Sequence, residues 1–248
     1  MKRKNMQEKK TLKQKIGSLL IPKLPITREN FDKLRFEWNA MTVSLNNRIN
    51  PVAIAKVNRE RAKTGLSVNI GAGPFGKDGW VNIDMFRYNN ITLIYDCRKK
   101  LPFKDTTVER IRCEHVFEHL DRKDESPKFL QECLRCLVPG GVLRIVVPDL
   151  ELFVKAYCAG TAEAWKKLGF DPDKLPWGLE TPMDILNHTF RQNGEHKFGY
   201  DFETLHRTVT SAGFGKAEKM SWGMSADPLL EDDLENHRPY SLYVDCIK

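Results

Sequence analysis

Short apolar runs punctuate the chain from residue 66 onward, at 67–71, 80–84, 91–95, 108–113 and 142–147, with loops or amphipathic segments between them. Runs of that length, alternating with amphipathic stretches, predict an α/β fold built on a mostly parallel sheet. The clearest amphipathic stretch is "SPKFLQECLRCLVPGG", in which Phe129, Leu130, Cys133, Leu134 and Leu137 share one helical face. Ser126 suits an N-cap, Pro127 the first helical position, and Gly140-Gly141 a stop, so the pattern predicts a helix from about 127 to 138. A second helix is predicted from Asp201 in "DFETLHRTVTSAGF", with Leu205, Val209 and Ala212 on one face and Gly213 closing it. Strand-like runs near 216–222 and at 241–247 bring the expected sheet to about seven strands.

Outside this rhythm lie three other segments. "FDKLRFEWNAMTVSLNNRI" reads as a helix laid against the sheet. Between 150 and 200 the strand pattern lapses into helical and Pro-containing sequence with Trp165, Trp177 and Met183, and an insertion of that size beside strand ends predicts a helical lid. The expected organisation is a basic flexible arm over 1–24, an N-terminal helical region over 25–65, and one domain over 66–248 with its lid at 151–200.

Charge alters this picture at one end only. The net charge is +7, and residues 1–24 carry eight basic residues against Glu8, so the arm accounts for the whole excess. The other residues are close to neutral, which argues against a basic groove for nucleic acid. "IGSLLIPKLPI" is too short and too broken by proline for a signal segment, and the chain reads as cytoplasmic. The six cysteines have no framework spacing. The Cys133/Cys136 pair falls on the apolar face of a helix, where thiols serve as packing residues.

Candidate chemistry centres on "NIGAGPFGKDGWVNID", residues 69–84, where Gly71, Gly73 and Gly76 form a literal G-x-G-x-x-G. A dinucleotide site needs a helix after these glycines to hold the pyrophosphate. Only residues 72–79 separate the first two strands, too few for a crossover helix of about a dozen residues. A nucleoside ligand without phosphate tolerates that loss. Asp84 would accept from the ribose hydroxyls and Asp96 from the adenine amino group, with close backbone approach at Gly71 and Gly73.

With "YDCRKKLPFKD", "IRCEHVFEHL" and "ECLRCLVPGGVLRIVVPDL" following in order, this stretch resembles the class I S-adenosylmethionine-dependent methyltransferases, in particular a bacterial subgroup with a shortened first helix. The likeness covers about 66–150 and, more weakly, "SLYVDCIK". It implies a Rossmann-like α/β/α sandwich around a seven-stranded sheet, with its last strand antiparallel and S-adenosyl-L-methionine over the first strand ends. Carried across, it places Gly71, Ala72 and Gly73 in the glycine loop, Asp84 and Met85 at the ribose, Asp96 and Cys97 at the adenine, and Glu114 and His115 facing the loop from the fourth strand. Asn69 stands where many members have an acid, which weakens the hold on the methionine ammonium.

"HVFEH", residues 115–119, also matches the H-x-x-E-H of inverted zinc peptidases. The sequence supplies neither a third ligand nor a peptidase fold, so no metal is expected and Glu118 and His119 read as structural. A third reading, a methyltransferase-like module that binds without turnover, sits badly with the intact pair Asp84 and Asp96. Candidates for removing a proton from the acceptor are His196, His115, His188 and Asp149, with Tyr200 nearby. The resemblance implies O-methylation of a sugar, glycan or other small acceptor. The basic arm is a candidate contact with an anionic membrane surface.

Overall fold

The computed structural model describes residues 25–248, so the basic arm lies outside the described residues. The chain divides into two compact units after Thr42. Helix α1, Arg28–Ile49, begins in the first of them. In the second unit it buries Val43 and leaves Leu45 and Ile49 exposed, and Asn47 donates to the Ile94 carbonyl at 2.9 Å. Asn50 caps α2, Pro51–Arg61, by accepting from Val52 N.

Seven strands follow: β1 Leu66–Ile70, β2 Val81–Asp84, β3 Leu93–Ile94, β4 Val108–Glu114, β5 Leu137–Pro148, β6 Lys216–Met220 and β7 Ser241–Ile247. Their spatial order is β3-β2-β1-β4-β5-β7-β6. Only β7 opposes the rest, pairing antiparallel with both β5 and β6. The order reverses between β1 and β4, which are parallel neighbours. A crevice at such a switch point is where ligands of open α/β sheets bind.

The helix expected over 127–138 is α3, Glu125–Cys136, two residues early at each end. Ser126 is not its cap: the side chain is buried and its hydroxyl is 3.5 Å from the Leu120 carbonyl. Leu137 already pairs with Val108 as sheet. Pro139-Gly140-Gly141 therefore belongs to the start of β5, and Gly140 and Gly141 exchange bonds with Lys248 of the last strand. The apolar residues of α3 pack into the main core, Cys133 and Cys136 among them, and burial pushes the Cys136 thiol up to about 12.

Between β5 and β6 the insertion forms α4 Leu150–Ala159, α5 Ala162–Lys167 and α6 Pro182–Arg191, with caps at Asp149, Thr161 and Thr181. It has a core of its own around Phe153, Trp165, Phe170 and Ile185. The chain returns where Asp149 and Tyr200 bridge, and α7, Phe202–Ser211, starts at Asp201, whose carboxylate accepts from Thr204 N at 2.8 Å.

Candidate functional site

At the carboxyl end of β1 the chain turns through Gly71 and Gly73, with φ of 69° and 49°. A Cβ on Gly71 would lie 2.0 Å from Cγ2 of Val116, so the bare main chain is required by the turn after β4 that packs on it. A Cβ on Gly73 would meet nothing within 4 Å, which leaves that face of the loop open. The donors of the loop are spent internally. Gly71 N and Ala72 N both donate to the Ile83 carbonyl, at 2.8 and 3.1 Å, and Gly73 N donates to Asp84 Oδ2 at 2.8 Å. Asp84 Oδ1 accepts from Phe86 N at 2.7 Å. The half-buried carboxylate of Asp84 is thus fixed in place, and each of its oxygens retains a lone pair. Ala72 is buried, so its methyl is packing, while Met85 beside Asp84 is half-buried.

Two of the expected contacts take a different form. Asn69 is 4 % exposed, and its Nδ2 points toward the Phe75 carbonyl at 3.3 Å and Asn82 Oδ1 at 3.4 Å, tying down the loop. Asp96 is 2 % exposed and caught in the fork of Arg98, whose Nε lies 3.0 and 3.2 Å from the two carboxylate oxygens and whose terminal nitrogen lies 2.9 Å from Oδ2. Arg98 N adds a further bond to Oδ1 at 3.0 Å. Three donors of Arg98 thus make four contacts with Asp96, engaging its carboxylate within the chain. Burial pushes the neighbouring Cys97 thiol up to about 12, so it offers no thiolate.

Across the switch point, β4 ends in a polar corner. Glu114 is ion-paired with Arg112 and accepts from His237 Nδ1 at 2.7 Å. Burial would raise its carboxyl, but His237 and Arg112 hold it below the usual range. His115 sits at φ 52°, uncommon outside glycine, with its N donating to the Val146 carbonyl at 2.8 Å. Its Nε2 is 2.9 Å from the Ser241 hydroxyl, its Nδ1 is 3.3 Å from Glu118 Oε1, and its ring centroid is 3.8 Å from that of His237. His237, Tyr240 and Ser241 precede or open the last strand without any periodicity, and sequence reasoning passed over them. The only signal was a cluster of polar and aromatic residues in "ENHRPYS".

The turn Phe117–His119 is a single 3-10 helical turn. Glu118 within it is 1 % exposed, and neither carboxylate oxygen takes a well-formed hydrogen bond. Burial raises its carboxyl, and the imidazoles of His115, His119 and His196 around it outweigh that and hold it below the usual range. His196 comes from the insertion's return strand: Nδ1 donates to the Thr189 carbonyl at 2.6 Å, and Nε2 stands 3.9 Å from Glu118 Oε1. Burial lowers its pKa, which keeps the ring neutral at pH 7. His188 stands away from this cluster. It lies on α6, stacked on Trp177 at 4.7 Å. Asp149 serves as the α4 cap, accepting from Glu151 N at 3.2 Å with Lys219 Nζ at 3.5 Å, and burial raises its carboxyl. Tyr200 is a core residue against Phe117.

Residues 85–145, from the end of β2 through β4 and α3 into β5, match the family model described as a methyltransferase domain. The match covers about a quarter of the chain. The seven-stranded sheet, with β7 antiparallel to both its neighbours, is the one the resemblance implies. Among solved structures, the chain is similar to a SAM-dependent methyltransferase from Archaeoglobus fulgidus, at 12 % identity over 82 % of this chain and 98 % of that one, TM-score 0.47. A second, from Aquifex aeolicus, has 17 % identity over 84 % and 97 %, TM-score 0.41. A third is the Burkholderia thailandensis 1,6-didemethyltoxoflavin-N1-methyltransferase with bound S-adenosylhomocysteine, at 9 % identity over 91 % and 92 %, TM-score 0.45. No curated protein matches the chain. Open space at Gly73 beside the fixed, half-buried Asp84 carboxylate suits a ribose diol, so the residues present fit the cofactor that the resemblance implies at that end.

Proposed function

We propose that this chain is an S-adenosylmethionine-dependent methyltransferase that methylates a hydroxyl of a small acceptor, a sugar or glycan being the leading class, at the corner where β4 meets the glycine loop. The observation that carries this reading is the imidazole of His115. It is one residue from Val116, which packs on Gly71, and it is partly open to solvent between Ser241 and Glu118. Bound S-adenosylmethionine supplies an activated methyl group on a sulfonium, and its transfer is an in-line displacement by the acceptor. The chain's part is to hold the acceptor at attack distance and take its proton. We assign the ribose contact to Asp84 and the proton to His115, whose imidazolium the Glu118 carboxylate would stabilise as the acceptor oxygen loses its hydrogen to the ring nitrogen.

The test is a mass-spectrometric screen of sugars, sugar nucleotides, oligosaccharides, phenols and amines for the mass gain of one CH₂, using the full chain. His115→Asn is the variant to compare, because Asn tolerates the left-handed backbone that His115 adopts. Turnover should fall about 100-fold or more with cofactor affinity nearly unchanged, in line with the loss of one general base. An unchanged rate in that variant removes His115 from the reaction, and methylation confined to amines overturns the oxygen acceptor.

A further inference from the structure

Buried carboxylates in folded proteins are paired, hydrogen-bonded or bound to a metal. Glu118 is 1 % exposed and its oxygens take no well-formed hydrogen bond; the polar side chains around it are imidazoles, with His115 Nδ1 at 3.3 Å and His196 Nε2 at 3.9 Å from Oε1. One ligand atom each from Glu118, His119 and His196 lies within 4.8 Å of the others. Each histidine is already oriented by a main-chain acceptor on its far nitrogen. His119 Nδ1 is 3.1 Å from the Glu195 carbonyl, and His196 Nδ1 is 2.6 Å from the Thr189 carbonyl. A carbonyl can only accept, so both Nδ1 atoms carry hydrogen and Nε2 is the nitrogen left to face an ion, the arrangement by which a backbone partner fixes the tautomer of a metal-bound imidazole. The backbone is preset as well, because Lys197 N and Phe198 N both donate to the Glu118 carbonyl, at 2.9 and 3.2 Å, and so hold His196 against the turn that carries Glu118 and His119.

We propose that Glu118, His119 and His196 bind a divalent transition-metal ion of the zinc or iron(II) type. Two imidazole nitrogens and a carboxylate oxygen suit those ions better than magnesium or calcium, which favour oxygen-only sets. Bonds of about 2.1 Å place tetrahedral ligand atoms about 3.4 Å apart, so the three side chains close by roughly an ångström to reach the ion. The ligand set differs from the one implied by the H-x-x-E-H spacing. There His115 and His119 would be ligands and Glu118 a base, whereas here Glu118 is a ligand and the insertion supplies the third. The site stands apart from the identity of the acceptor, but it shares Glu118 with the role proposed for His115, whose Nδ1 lies 3.3 Å from Glu118 Oε1.

The experiment uses the untagged full chain, dialysed against a chelator and titrated with Co²⁺ and separately with Zn²⁺. We expect one equivalent bound, visible d–d absorption for Co²⁺, and a rise in melting temperature on addition of either ion. Glu118→Gln and His119→Ala should each weaken Co²⁺ binding about 100-fold or more, given that even outer-shell partners cost 10–100-fold. His119 is partly exposed, so its variant is the safeguard if Glu118→Gln folds poorly. His206→Gln, on α7 beside Phe202, should bind as the parent does. Absence of stoichiometric binding by the parent protein overturns the proposal, as does binding that survives in both ligand variants. Metal binding is read without turnover, so its result is distinguishable from the outcome of the methyl-transfer screen.

Discussion

At the scale of single residues, the glycine loop is the most tightly specified part of the molecule. Gly71→Ala would force a Cβ into left-handed backbone and against the methyl of Val116, and overpacking of that kind costs about 1–3 kcal/mol. A lower denaturation midpoint is expected, and adding Val116→Ala should restore part of it, since the steric overlap is relieved while the backbone strain persists. Glu114 gives a pH-dependent counterpart. Its carboxyl is held below the ordinary glutamate value of about 4.3, so the stability it adds is present above that value and is lost as pH falls through the depressed one. Comparing Glu114→Gln with the parent in denaturant titrations should show a gap at pH 7 that narrows below about pH 4. A gap that is the same at both pH values would mean that the His237 and Arg112 partners do not govern its ionisation.

At the scale of elements, much was legible because local chemistry and tertiary packing agree. Asp201 caps α7 as its spacing implies, and the hydrophobic face of α3 is the buried one. The end of α3 was misplaced because a proline-glycine-glycine run looks like a helix stop. Pairing of Leu137 with Val108 wins over the helix two residues sooner, a contact no local pattern contains. Arg144 is the sharper case. In "VLRIVV" it reads as the polar face of a strand, yet it is fully buried. Its Nε and a terminal nitrogen are 2.8 and 2.6 Å from Asp233, and its other terminal nitrogen is 2.7 Å from Asp245 on β7. Arg144→Leu strands two buried carboxylates and should cost about 3–5 kcal/mol by denaturant titration. A loss under 1 kcal/mol would show that water reaches the pair. The polar corner around His115 was half legible for the same reason. His115 and Glu118 lie in one visible motif, while His196 and His237 arrive from 81 and 122 positions further along the chain.

At the scale of the whole molecule, the insertion is anchored to the sheet. Its ends are tied at the sheet: Asp149 bridges Tyr200, Leu150 N donates to the Tyr200 carbonyl at 3.0 Å, and two successive amides hang on the Glu118 carbonyl. Its far side carries Trp177, 71 % exposed. The arm over 1–24 carries charge equal to the whole net +7, and we expect its removal to lower sedimentation with anionic vesicles. Equal sedimentation with and without it would assign the arm another purpose.

The insertion is pinned to the sheet at its two ends, so opening its far side breaks fewer bonds than opening its ends. In deuterium exchange the amides of Leu150, Lys197 and Phe198 should therefore be among the slowest of the segment, and those flanking Trp177 among the fastest.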